Sequence, residues 1–115
     1  MSHFPQGLAR AWVSFDASSG TPSIGAAFNT TITDDGVGIF TLNFTRALAD
    51  ANYAIAGSAR YSSATSNGTG AYLVLRRQTG AAKTASTCKI QTVYQGGPSL
   101  ADLPECNAAV IGLDS

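Results

Sequence analysis

Residues 24–44 read IGAAFNTTITDDGVGIFTLNF. On either side of Asp34-Asp35-Gly36 the side chains alternate. Ile24, Ala26, Phe28, Thr30 and Ile32 share one face before it, and Phe40, Leu42 and Phe44 share one face after it. That period of two is the mark of half-buried strands. The shared apolar face also constrains the register. A two-residue Asp35-Gly36 turn would set Phe28 opposite Asn43, apolar against polar, and a one-residue slip inverts a whole face. A three-residue loop, Asp34-Asp35-Gly36, pairs Thr33 with Val37 instead. Phe28 then faces Leu42, Ala26 faces Phe44, and Gly36 falls where a left-handed residue closes the loop. The sequence predicts that loop, which Gly36→Val is expected to break.

Outward from this hairpin the same pattern recurs. Strands are predicted over residues 8–15 (LARAWVSF), 53–61 (YAIAGSARY), 71–78 (AYLVLRRQ), 87–95 and 106–113 (CNAAVIGL). Turn-rich segments separate them: DASSGTP at 16–22, SSATSNGTG at 62–70, and GGPSLADLPE at 96–105, whose Leu100 and Leu103 are expected to tuck under the fold. Residues 46–52 suit either a helical turn or a plain connection. Small side chains on both faces of the 53–61 strand predict close packing on either side. About seven short strands with turn signals between them argue for an antiparallel β-sandwich in one domain, residues 8–115, preceded by a tail at 1–7.

The chain has 115 residues, room for one modest core. Only 12% are Asp, Glu, Lys or Arg, against about 25% in ordinary domains, and the formal net charge is zero. So few charges protect poorly against association, so the sequence favours an oligomer over a monomer kept wet by Ser, Thr and Asn. The same balance argues against nucleic acid, since no Lys/Arg cluster could neutralise phosphates. No run is apolar and long enough to insert in a membrane. The opening MSHFPQGLAR lacks a signal-peptide layout, which points to synthesis in a cytoplasm.

Candidates for chemistry are few. His3 is the sole histidine and lies in the tail. Asp34 and Asp35 suit the turn itself, and the remaining carboxylates are scattered, so an enzyme is not expected. Neither a metal nor a cofactor is expected. Cys88 and Cys106 fall in strands predicted to be adjacent. A cross-strand disulfide and two buried thiols both fit, and the reducing compartment favours the thiols. Asn29, Asn43 and Asn67 each stand two residues before a Thr. They are expected to be unglycosylated, with the first two on the wet face of strands. Binding anchors are sought among aromatic and Arg side chains near loops: Arg60, Tyr61, Asn67, Arg76, Arg77 and Tyr94. For Tyr61 and Tyr94, closing the ends of the core competes with a ligand role.

The order of motifs resembles a domain found in virion proteins of tailed bacteriophages, most often at the C-terminal end of tail fibres. The matching pieces are Ala9 to Phe15 (ARAWVSF), Ala27-Phe28-Asn29, Ile32 to Gly38 (ITDDGVG), Thr41 to Thr45 (TLNFT) and Asp50 to Tyr53 (DANY). Ile90 to Val93 and Ala109 to Gly112 match more loosely. The likeness covers residues 9–112. It implies a β-sandwich assembled as a homotrimer on the outside of a virion, with no catalytic motif. Partners would be other virion proteins and a host surface glycan or outer-membrane protein. His3, Phe4 and Pro5 would be candidates for docking the tail segment into the particle. Because only about eight residues precede the domain, a separate small virion subunit or a tip held by another protein is expected. A capsid decoration or head-fibre protein and a free carbohydrate-binding module are the alternatives.

Overall fold

The computed structural model describes residues 9–60, 71–94 and 99–112. These residues are all-β, with strands β1 (Ala9–Asp16), β2 (Ser23–Phe28), β3 (Thr30–Gly36), β4 (Ile39–Phe44), β5 (Ala54–Arg60), β6 (Ala71–Leu75), β7 (Thr87–Tyr94), β8 (Ser99–Leu100) and β9 (Glu105–Ile111). They form two antiparallel sheets. The first has the order β2-β1-β9-β5. The second has the order β3-β4-β7-β6, with the short β8 added to β7. The architecture is compatible with the β-sandwich that the sequence predicts.

Between the layers lie the alternate residues of the inner strands: Ala11, Val13 and Phe15 of β1, Cys106, Ala108 and Val110 of β9, Phe40, Leu42 and Phe44 of β4, and Cys88 and Ile90 of β7. The Phe15 and Phe40 rings meet edge to face across the layers, with centroids 5.2 Å apart. At the far end Phe44 meets Tyr53 in the same way at 5.7 Å. Tyr53 donates its hydroxyl toward the carbonyls of Thr84 and Thr87, satisfying the polar tip of a buried ring.

The stretch 24–32 is not one strand. It breaks at Asn29, whose φ is 55°, and the chain crosses from the first sheet to the second. Asn tolerates this left-handed conformation better than β-branched residues do. Its side chain then pins the corner. The Asn29 amide donates to the carbonyls of Arg10 (3.1 Å) and Arg46 (3.0 Å), and its oxygen accepts from the Arg46 N–H (2.7 Å). Thr30 helps by donating its hydroxyl to the Phe28 carbonyl at 2.8 Å. Ile24, Ala26 and Phe28 therefore do not share a core face with Thr30 and Ile32. Phe28 is 52% exposed.

The hairpin register changes with the corner. Thr30 pairs with Phe44, Ile32 with Leu42 and Asp34 with Phe40. The Asp34-Asp35-Gly36 loop is corrected: the strand runs through these residues, with a bulge between Asp34 and Gly36, and the chain turns at Val37-Gly38. Apolar pairing across one face set the register, as expected, but Ile32 faces Leu42 where Phe28 was expected to. Gly36 (φ 143°) and Gly38 (φ 67°) supply the positive φ values. Gly38 also sits against backbone: a Cβ there would lie 2.6 Å from the Ala101 nitrogen and 2.8 Å from the Thr92 oxygen. Its N–H donates to the Asp102 carboxylate at 2.8 Å, so the turn is docked on the chain that follows β8. In that connection Leu103 is buried, while Leu100 remains 38% exposed rather than tucked under the fold.

Two stability outcomes follow from these positions. Asn29→Ala loses the corner bonds and adds strain at a positive φ, so it should cost about 3 kcal/mol, whereas Asn29→Gly keeps the conformation and should cost less. Gly38→Ala should cost about 2–4 kcal/mol and more than Gly36→Ala, because only Gly38 is walled by backbone. Chemical denaturation with an unchanged m-value reads both orderings.

Candidate binding face

The two sheets present unlike surfaces to the outside. On the second sheet the outward positions are Thr31 and Thr33 of β3, Thr41 and Asn43 of β4, and Thr87, Lys89 and Gln91 of β7. Asn43 donates its amide to the Thr33 hydroxyl at 2.9 Å. Over β3 and β4 this is a polar, hydrogen-bonding face, while toward β6 and β8 it also exposes Tyr72, Val74 and Leu100, with Val93 between Tyr72 and Leu100.

The first sheet is different. Because β1 buries Ala11, Val13 and Phe15, its intervening residues point outward, and Trp12 is among them. Register places Phe28, Trp12, Ala109 and Ala56 side by side across β2, β1, β9 and β5. The neighbouring row is Ala26, Ser14, Asn107 and Ser58, and Ile111 and Ala54 pair on the other flank. None of these side chains is charged. Charges stand only at the borders: Asp16 and the Arg60–Glu105 ion pair (3.0 Å) at one end, Arg10 at the other.

Large side chains occupy one half of this face and small ones the other. Trp12 is 39% exposed and Phe28 is its cross-strand neighbour. Beyond Trp12 the Ala and Ser positions of β9 and β5 leave a shallow trough of about 550 Å³, bounded by Trp12, Ser14, Asn107, Ser58, Ala56 and Ala109. Its polar groups are neutral, and the Asn107 amide donates to the Ser58 hydroxyl at 3.2 Å. Gly57 brings β5 close to the opposite sheet, since a Cβ there would meet Leu73 at 2.6 Å. The small residues on both faces of β5 therefore serve two ends: close layer packing inside and a shallow trough outside.

The anchors sought in the sequence are dispersed. Arg60 is exposed and paired with Glu105 at the end of β5. Tyr94, half-buried, pairs with Ala71 at the same end of the sandwich. Arg76 is a structural residue: it holds Asp35 at 2.6 Å and donates to the Phe40 carbonyl at 2.8 Å. Asp35 also accepts from the Thr41 hydroxyl. That hydrogen bond and the adjacent guanidinium hold its carboxyl below the usual range against the opposing effect of burial. Arg77 is exposed, with its N–H on the Gln91 side chain. Tyr61 and Asn67, like His3, Phe4 and Pro5, lie outside the described residues. The residue that sequence reasoning passed over as a surface group is Trp12. The signal was available, because Ala11, Val13 and Phe15 are the parity that a core would choose.

Cys88 and Cys106 do not lie on adjacent strands. Cys88 is on β7 of the second sheet and Cys106 on β9 of the first, and both are free, buried thiols. Burial pushes them up to about 11 and about 12 respectively. Among the described residues no group of His, Cys, Asp and Glu could hold a metal ion. Among the described residues no helix is long and apolar enough to cross a membrane. No protein-family model, curated protein or solved structure matches the chain.

The thiols give a pH prediction. Their folded pKa values lie above the ordinary value of 9.0, so above about pH 9 the unfolded chain releases protons that the folded chain retains. Stability should be insensitive to these groups below pH 9 and should fall as pH rises toward 11. Cys88→Ala with Cys106→Ala should flatten that decline in denaturation midpoints, once the cavity cost is subtracted at pH 7. The same burial predicts that iodoacetamide labels neither thiol in the native protein and both in denaturant.

Proposed function

We propose that this chain is a structural and adhesive subunit of a tailed-bacteriophage virion, a small trimeric fibre or spike tip that contributes to host attachment. The observation that carries this reading is the outer face of the β2-β1-β9-β5 sheet. It bears no charge across its central rows and exposes Trp12, Phe28 and Ile111. A chain of zero net charge that shows such a face to water is suited to life inside an assembly. The motif resemblance over residues 9–112 supplies the kind of assembly.

The action on this reading is adhesion without chemistry. Copies bury their uncharged faces, and the end of the sandwich that holds Arg60, Tyr94 and the boundaries of the 61–70 connection meets a host glycan or outer-membrane protein. Weak single contacts gain strength because several copies engage together. The polar, Thr-rich face of the other sheet would remain in solvent.

One observation favours a second reading, a carbohydrate-binding module. Trp12 stands beside the neutral hydrogen-bonding groups of Ser14, Asn107 and Ser58, a set able to stack on and bond a sugar ring.

Gold-labelled antibody on purified particles of the encoding phage tests the first reading. Label confined to the tail tip is expected. Label over the capsid would replace it with a decoration role, and particles without label would overturn both. A monomer that binds one glycan on an array would favour the second reading.

A further inference from the structure

We propose that the open edge of β5 is an acceptor for an extended segment of another protein chain, which adds to the first sheet as a further strand. The inference is independent of the adhesive role above and concerns a different surface. Its basis is the state of the four sheet edges, β2 and β5 on the first sheet and β3 and β6 on the second. β2 and β3 are joined at the Asn29 corner, so the chain itself crosses between the layers on that side. β2 has a register shift against β1, and β3 has a bulge with Asp34 and Asp35 beside it. Bulges and charges of this kind are the usual guards of an edge. β5 lacks them. Its register with β9 runs unbroken over seven residues, and its sole charge is Arg60 at the end, held by Glu105. Among the described residues, no main-chain hydrogen bond outside the β9 ladder involves β5.

The bare main-chain groups select the occupant. On an edge strand every second residue presents both its N–H and its C=O outward, at intervals of about 6.7 Å. Another extended chain matches that repeat, whereas a helix has already used its main-chain groups internally. A crevice beside the edge then sets the side chains. It holds about 330 Å³ between β5 and β6 and is lined by Ile55, Gly57, Leu73, Val74 and Leu75. Ile55, Gly57 and Ala59 are the inward positions of β5, opposite the buried Val110, Ala108 and Cys106. Inward side chains of an added strand therefore enter the crevice. No charged residue lines it, so an aliphatic side chain fits and an ionised one would be buried without a partner. The outward positions stand beside Ala54, Ala56 and Ser58, which suits small neutral side chains. β5 of a second copy does not meet this description. Its inward positions already face its own core, and Gly57 among them has no side chain to offer. The partner is an extended segment of up to seven residues, the length of β5, alternating aliphatic with small neutral side chains.

The test is amide hydrogen exchange of the full chain with synthetic peptides of the pattern Lys-Thr-X-Thr-X-Thr-X-Thr-Lys, where X is Val, Ile, Leu or Ala. The expected result is that at least one aliphatic peptide slows exchange across Ala54–Arg60 about tenfold or more and leaves β3 unchanged. The Ala peptide, which cannot fill the crevice, and the same aliphatic peptide N-methylated at alternate residues should give no such protection. Val74→Lys puts a charge on the exposed wall of the crevice and should weaken the peptide about tenfold, while Thr33→Lys on the β3 edge should not. Denaturation midpoints establish that both variants fold. Protection at another edge, equal binding of the N-methylated peptide, or no protection by any member of the set overturns the inference. Protection of β5 that rises with protein concentration in the absence of peptide assigns the edge to a second copy, and overturns it too. None of these outcomes bears on where the protein sits in a particle, which the antibody label reads.

Discussion

The corner at Asn29 is the constraint on which the rest of the molecule depends. It ends β2 on one sheet and starts β3 on the other, so it decides which residues face the core. Were the chain to continue straight, Phe28 and Ile32 would lie on one face. With the corner, Ile32 packs against the core while Phe28 is delivered to the outer surface beside Trp12. A single left-handed residue, fixed by bonds to Arg10 and Arg46, thus creates both the two-layer fold and the aromatic ridge.

That delivery explains why the two outer faces differ so much. The second sheet covers the β3 and β4 part of its outer side with Thr and Asn and the middle of β7 with Thr, Lys and Gln, the ordinary solution for a half-buried antiparallel sheet, and leaves Tyr72, Val74 and Leu100 exposed toward β6 and β8. The first sheet gives up this protection over its central rows and keeps charges only at its borders. Small side chains there are not simply a weak surface. Gly57 is needed small because Leu73 lies beneath it, and Ala56 and Ala109 leave room above. The same strand segment therefore serves the core on one side and leaves a shallow trough on the other.

Much of the architecture was legible in the sequence. The alternation of Phe40, Leu42 and Phe44, of Cys88 and Ile90, and of Cys106, Ala108 and Val110 identifies inner strands and their buried parity. What was not legible came from reading local signals one at a time. Asp34-Asp35-Gly36 is a strong turn signal, yet the turn fell at Val37-Gly38, because Gly38 alone can lie against the backbone of Ala101 and Thr92. That contact is with segments over fifty residues away, which no local pattern reports. Asn29 looked like a wet-face residue inside an alternating run, because a period of two continues unbroken through a corner. The cysteines were placed on neighbouring strands because chain order suggested it, whereas the topology sends β7 and β9 to opposite sheets. Of the candidate anchors, Arg76 proved to be held by Asp35 and the Phe40 carbonyl. Trp12 needed only the parity of its own strand to be placed outside.

The central claim is that the chain acts inside an assembly that covers the ridge of Trp12 and Phe28. Trp12 is the only tryptophan, so its fluorescence reports on that face alone. The direct measurement is iodide quenching of Trp12 across a dilution series, with the mass followed in parallel. The account predicts weak quenching and blue-shifted emission in the assembled protein, turning to strong quenching and red-shifted emission as dilution dissociates it. Quenching that is equally strong in the assembled and dissociated protein would contradict it.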